Sequence, residues 1–499
     1  MPNSEELLGY IAFRRDEKNN VGFAVKSNRD ELEKWKSKAS GSPSLRSIEP
    51  TSDKSIGDSK ECPVTSLPER AKKLLDRFRK AMTSVHNLIG FTSVVRPLLA
   101  RVFIEQAILP HVEKNLTLVE KDVIHCIYSF TRSQFVETRK LLMRFRETRA
   151  GYDTIPSATL LSLVATFDSY FSEIVRLFLA IHPERYTGSE QTMSLKEIFS
   201  MNSIEDVIDH VIDHEINDLM RGSHAEQVQF IESHLGVKII DHYERWPDFV
   251  EIFERRNLVA HENLVVNRTY VERCLEAKCK GVNLGDIGAT LTLSRKYLHN
   301  SVDILSEFGI LLIFALWRKH IAGGDESAFK EINDVCYDLI EVKRPRLANR
   351  LLDFALHKQK RGCSDLILRM MIVNLANSCK KMSDDDRCQK VLASTDWSAS
   401  KDNFQICIAS LRGDIDTVVA LMPSAAASNA ISAAEFREWP VLDWVRDDPK
   451  VNEAFEKVYG EPMRSGIPEA LTDTKPEANQ DSEVENEGLS PALDDVTRH

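Results

Sequence analysis

Several of the usual handles on function are missing from this sequence. The most apolar run, Phe308–Trp317 (FGILLIFALW), is bounded by Glu307 and by Arg318, Lys319 and His320. It falls well short of the roughly 20 residues that span a bilayer, so a buried helix and no membrane partner are expected. The opening stretch carries early acidic residues and no apolar core, so no signal peptide is read there. The nine cysteines are odd in number and scattered, which suits a reducing cytoplasm better than a disulfide framework. Cys274 and Cys279 lack a second Cys or His pair at zinc spacing, so no structural zinc is expected. There is no Gly-rich phosphate loop, no dinucleotide fingerprint after a strand and no G-x-S-x-G elbow, which removes kinase, redox and hydrolase-fold readings. Sustained alternation of polar and apolar residues is nearly absent, which points to an all-α fold. A net charge of -11 excludes coating of nucleic acid by the whole surface but leaves room for a local basic site.

What is present is helix after helix, flanked by two polar ends. Residues 1–67 read as a mostly disordered segment, with Lys26–Leu67 a Ser-, Lys- and Pro-rich linker, and residues 463–499 as a disordered acidic tail. Residues 68–150 form an N-terminal helical region. Within it RAKKLLDRFRKAM spaces Leu74, Leu75, Phe78 and Met82 by three and four, and a second helix covers Phe130–Arg149. In that second helix Arg139, Lys140, Arg144, Arg146 and Arg149 crowd a few turns. A solvated face is the plain reading, and an RNA-contacting surface is the sharper one. Residues 151–322 read as a helical bundle. Its leading helix carries a wide apolar stripe of Leu160, Leu163, Val164, Phe167, Phe171, Ile174, Leu177 and Phe178. Helices are expected over Ile204–Met220, Ala225–Leu235 and Trp246–His261, and as a pair from Leu291 to His320. Residues 323–462 break into short helices joined by small turns, as at Gly413, and suggest an α-solenoid-like, tetratricopeptide-like array. Trp439 and Trp444 are expected to bury against its last repeat.

Chemistry concentrates in VEIFERRNLVAHENLVV, Val250–Val266. Phe249, Ile252, Phe253, Leu258 and Val259 anchor the helix, and against that background stand Arg256, Asn257 and His261. Asn257 and His261, four apart, share a helix face, whereas Arg256 lies about 140° away from His261 round a regular helix. A bulge, or a second copy across a two-fold axis, would bring the arginine and histidine together, and the dimer is the more economical. The residue types suit RNA cleavage. Histidine titrates near neutrality, arginine offers a permanently charged fork to phosphate oxygens, and asparagine orients or donates. RNA brings its own nucleophile in the 2′-hydroxyl, so no metal or cofactor is required. The alternative is a structural pairing of Arg256 with Glu251, Glu262 or another carboxylate, and a satisfied His261 at the helix end.

Arg256-Asn257-x-x-x-His261 resembles the R-x4-H motif of HEPN domains (higher eukaryotes and prokaryotes nucleotide-binding), including the polar residue after the arginine. The helix bearing Phe167-Asp168-Ser169-Tyr170 resembles the first helix of that family's bundle. The resemblance covers about a third of the chain. It implies a dimerising α-helical bundle whose catalytic members are metal-independent endoribonucleases of toxin–antitoxin and antiviral systems, and whose other members are noncatalytic. Residue by residue, it gives Arg256 the scissile phosphate, His261 proton transfer and Asn257 a supporting role.

A second constellation, Asp209, His210, Asp213 and His214, repeats the four-residue spacing of zinc-binding helices. It lacks the intervening glutamate and a third ligand, so a solvated face is expected. The sequence thus leads to a cytoplasmic, homodimeric endoribonuclease whose C-terminal helices meet a protein partner. The rival is a noncatalytic HEPN and helical-repeat scaffold for nucleic acid, nucleotide or protein.

Overall fold

Apolar side chains recurring every three to four residues build nearly every element, and the chain is mostly helical. The computed structural model describes residues 7–15, 21–26, 66–121, 125–182, 201, 203–358 and 362–463. Two strands come first, β1 (Leu7–Arg15) and β2 (Val21–Lys26). The long helix α1 (Leu67–Phe103) runs through a π-helical turn, Ile104–Ile108, into α2 (Leu109–Asn115). Strands β3 (Thr117–Lys121) and β4 (His125–Thr131) lead to α3 (Arg132–Asp153) and α4 (Ile155–Leu179). Next come α5 (Ile204–Leu219), α6 (His224–Leu235), α7 (Trp246–His261), α8 (Arg268–Glu276) and α9 (Arg295–His320). The C-terminal helices are α10 (Gly324–Glu341), α11 (Pro345–Asp353), α12 (Asp365–Lys381) and α13 (Asp385–Ala393). They continue as α14 (Asp402–Arg412), α15 (Ile415–Ala427), α16 (Ala433–Glu438) and α17 (Pro449–Tyr459).

The strands are the departure from an all-helical expectation. They form one antiparallel sheet in the order β2-β1-β4-β3, with Ala12 opposite Ile127 and Phe13 opposite Cys126. The helix expected from Phe130 therefore begins at Arg132, where Thr131 and Gln134 make a reciprocal cap and Gln134 accepts from the Thr131 backbone N–H at 2.9 Å. Residues 1–67 thus contribute two strands. The expected linker Lys26–Leu67 and the acidic tail lie almost wholly outside the described residues.

Three apolar cores result, one of them a cluster of five, Leu258, Val266, Tyr270, Val271 and Cys274, between the end of α7 and α8. The small core beneath the sheet joins Ile104, Ile108, Val112, Tyr128, Phe130, Phe135, Leu142 and Phe145. The large one draws on residues from Ala71 to Met463, and it joins side chains on both sides of the boundary expected at residues 322 and 323. Helix α1 serves these last two: Phe78, Met82, Val85 and Ile89 belong to the large core, while Ala100 and Phe103 pack on the small one.

At the centre of the large core stands α9, one continuous helix where a pair was expected. Its Phe308–Trp317 run is buried, as expected, apart from a partly exposed Ala315. By length and composition α9 and the Leu67–Asn115 rod are apolar enough to cross a membrane. The α9 window is 83% buried in the protein, whereas the other is only 11% buried. Gly309 lets α1 and α4 approach α9 closely. A Cβ there would sit 2.7 Å from the Phe78 ring, which stacks on Tyr170 at 3.8 Å, and the Tyr170 hydroxyl donates to the Gly309 carbonyl at 3.2 Å. Among the C-terminal helices the expected turn at Gly413 is present, left-handed at φ 72°. Trp444 departs from expectation. It is 37% exposed, its indole N–H donating to Asn377 at 3.0 Å and its ring lying under Lys380 and Lys381. Phe436, Leu442 and Phe455 fill the interior instead.

Candidate functional site

Helix α7 is positioned by an aromatic cluster before any of its polar residues come into play. Phe167 of α4 lies 5.6 Å from both Phe249 and Phe253, and 6.2 Å from Phe308 of α9, ring centre to ring centre. Such contacts fix the helix's rotation, since each ring prefers an edge or offset geometry to its neighbours. Pro247 in the first turn pre-sets the start of the helix.

Two adjacent arginines then meet different fates. Arg255 is locked. Its Nε donates to Glu251 at 2.6 Å, its Nη1 to the Thr292 carbonyl at 3.0 Å, and its guanidinium lies 4.0 Å from the Tyr297 ring centre. Glu251 also accepts from the Tyr270 and Tyr297 hydroxyls at 2.7 and 2.9 Å, so α7, α8 and α9 are tied at this point. Arg256, one residue on, is held loosely. Its side chain is 27% exposed, and Nη2 stands 3.8 Å from Asp168 Oδ2, beyond hydrogen-bond reach. Its Nε is buried and has no partner among the described residues. An unsatisfied buried donor on a half-open guanidinium is the kind of exception that calls for a ligand or an ordered water.

Asp168 has a second client. The His224 Nε2 donates to its Oδ1 at 2.8 Å, and the imidazole stacks on Phe253 at 3.4 Å. Burial pushes the His224 pKa below its ordinary value; the Asp168 bond opposes this and the Arg256 charge adds to it. His224 reaches this place because Ser223 caps α6 with Glu226, setting the imidazole at the first helical position. The sequence reading missed this set. Asp168 was visible in the Phe167–Tyr170 stretch but without a role, and nothing local links it to a histidine 56 residues away.

Asn257 turns elsewhere, with its Nδ2 at 3.5 Å from Glu254, which Arg273 Nη1 also reaches at 3.2 Å. His261 is exposed on the last turn of α7. The chain then reverses through Asn263 and Leu264, both left-handed. Leu264 donates to the Leu258 carbonyl at 3.1 Å and accepts from Leu291 at 2.9 Å, which staples the helix end. Glu262 and Asn263 are exposed. Because α7 is regular α-helix throughout, Arg256 and His261 diverge within one chain.

Arg139, Lys140, Arg144 and Arg146 are exposed on α3 and Arg149 is half-buried; Lys140 pairs with Glu137 at 3.1 Å. They belong to the helix of the small core, apart from the aromatic cluster under Arg256. On α5, His210 and His214 are exposed, His214 lies 3.2 Å from Asp218, and Asp213 pairs with Arg176. Among the described residues no three His, Cys, Asp or Glu side chains gather as a metal site. The chain matches no protein-family model, no curated protein and no solved structure.

Proposed function

We propose that this protein is a metal-independent endoribonuclease of the HEPN type that acts as a homodimer. One observation carries the reading: Arg256 is half-open, 3.8 Å from its nearest carboxylate, with an orphaned Nε. A guanidinium so loosely engaged is available to a phosphodiester, which would accept two parallel N–H bonds from it. His261, exposed and with no polar partner among the described residues, supplies the proton-transfer group. The 2′-hydroxyl gives up its proton as it attacks the adjacent phosphorus, the P–O5′ bond breaks, the 5′-oxygen takes up a proton, and a 2′,3′-cyclic phosphate remains. Arg256 offsets the charge gathering on the phosphoryl oxygens. Since the two side chains diverge on one regular helix, a second copy completes the set. Asn257 is a supporting residue. The α3 cations guide RNA by salt-sensitive phosphate contacts, and the C-terminal helices engage a protein partner. A cytoplasmic toxin or antiviral setting is what the family resemblance implies.

The test is incubation of the full chain with mixed RNA in chelator, beside Arg256→Ala and His261→Ala of verified fold. The expected result is cleavage leaving cyclic phosphate ends, reduced at least about 100-fold in each variant. Cleavage undiminished in both variants overturns the proposal. Silence in every sample leaves the noncatalytic HEPN and helical-repeat scaffold.

A further inference from the structure

The C-terminal end of α8 closes on two cysteines. The helix is capped at Ala277, Lys278 turns left-handed at φ 62°, and the chain reverses into Cys279. The Lys278 N–H donates to the Leu275 carbonyl at 3.0 Å, and the Cys279 N–H to the Cys274 carbonyl at 2.8 Å. This double closure sets the third-from-last helical residue against the second residue past the cap, positions whose side chains ordinarily share an apolar contact. Here both positions are cysteine, and both thiols are free. Cys274 is buried among Leu258, Val266, Tyr270 and Val271, and the half-buried Cys279 packs against that cluster. The Cys279 Sγ–H donates to the Pro247 carbonyl, in the first turn of α7, at 3.1 Å. The Cys274 thiol in turn donates to the Cys279 sulfur. That bond, more than anything else, lowers the Cys279 pKa, while burial and the carboxylates of Glu251 and Asp248 oppose it. The same bond, with burial, keeps Cys274 protonated.

We infer that Cys274 and Cys279 form a redox pair that exchanges its two thiols for a disulfide with a small disulfide of the glutathione class. Reach is provided by the backbone: a direct bond between the two residues' own peptide groups keeps their Cα atoms within the roughly 7 Å that a disulfide can bridge. Access is divided between them. Cys279 opens to solvent as the attacking sulfur, and Cys274, sealed behind it, resolves the intermediate without needing to meet the reagent. Cys379 and Cys388 are also neighbours, but both are wholly buried, so a small disulfide reaches neither. In the first step the Cys279 thiolate attacks one sulfur of R–S–S–R; a Cys279–S–S–R bond forms, and the departing R–S⁻ takes up the proton that Cys279 released. Cys274 then loses its proton and attacks Cys279 Sγ, and the second R–S⁻ leaves with that proton. Two protein thiols are oxidised, and one small disulfide is reduced to two thiols. Oxidation also removes the thiol proton that Cys279 gives to Pro247, so it unhooks the end of α8 from the first turn of α7 while tightening α8's own reversal. The inference does not rest on the ribonuclease reading.

The test is oxidation of the native full chain by excess oxidised glutathione, followed by acid quenching, alkylation and peptide mass spectrometry. Tryptic cleavage after Arg273, Lys278 and Lys280 puts the two cysteines on separate peptides, so their linkage reads as one joined mass. Wild type is expected to form the Cys274–Cys279 disulfide, and excess reduced glutathione to reverse it. Cys274→Ala removes the resolving thiol, and should carry at least about 10-fold more glutathione on Cys279 than wild type does. Cys274→Val replaces it should the alanine variant misfold. In Cys279→Ala the buried Cys274 should stay reduced. Alkylation at neutral pH should modify Cys279 at least about 10-fold faster than Cys363, whose thiol burial pushes up to about 11. A wild type whose two thiols stay reduced overturns the pair, as does glutathione left in place on Cys279 of wild type, or a disulfide from Cys279 to any other cysteine. A Cys274–Cys279 bond that forms only in urea belongs to the unfolded chain and overturns it equally, and so does a Cys279 that alkylates no faster than Cys363.

Discussion

The carboxylate of Asp168 sits between two groups that want it for different reasons, and this makes the site measurable apart from any activity. It accepts a full hydrogen bond from His224 and makes only a distant attraction to Arg256. Since burial lowers the His224 pKa and Asp168 opposes that shift, Asp168→Asn should lower it further. Imidazole nitrogen shifts across a pH series would record this, and a titration unmoved in the variant would refute the pairing. The sign for stability follows from linkage. A histidine depressed in the folded state contributes its stability above the unfolded value near 6.5 and loses it as pH falls toward the folded value. This three-residue set was not legible in the sequence. Arg256, Asn257 and His261 stood out because their spacing is local. His224 did not, because its partner is fixed only when α4, α6 and α7 pack around Phe253.

Helices announced themselves well where one periodic face met a strong stop. Trp246–His261 was expected and observed with the same ends, bounded by Pro247 at the start and a left-handed reversal after His261. Strand β4 was not, because HCIYSFT runs directly into a helical pattern and finds its partner in residues far away at the N-terminus. The tight crossing at Gly309 was equally silent. Gly309→Ala should cost about 1–3 kcal/mol in chemical denaturation, since the new methyl must displace the Phe78 ring. Where α1 meets α9, His299 Nδ1 lies 3.2 Å from His86 Nδ1, one ring donating to the other. Burial, then the charges of His86 and Arg295, push the His299 pKa down to about 4. Stability should therefore decline as pH falls from 6.5 toward about 4, and His299→Gln should flatten that limb. Identical pH curves for the two proteins would count against it.

The whole molecule is built on unequal cores, and its resistance to opening should be unequal too. The small core contains few buried residues and the large one runs through most of the described chain. Amides of β4 and α3 should exchange hydrogen faster than those of α9 under native conditions, and equal protection would contradict this. The small core and the large one both lean on one rod, α1. That sharing makes the protein awkward to dissect. A cut between residues 150 and 151 would carry Ala71, Leu74, Phe78 and Met82 away from the helices they cover. A cut within α1 would split a single helix instead. Fragments made at either place would each expose a wound the other was meant to close, and should be sought as co-expressed halves that rejoin.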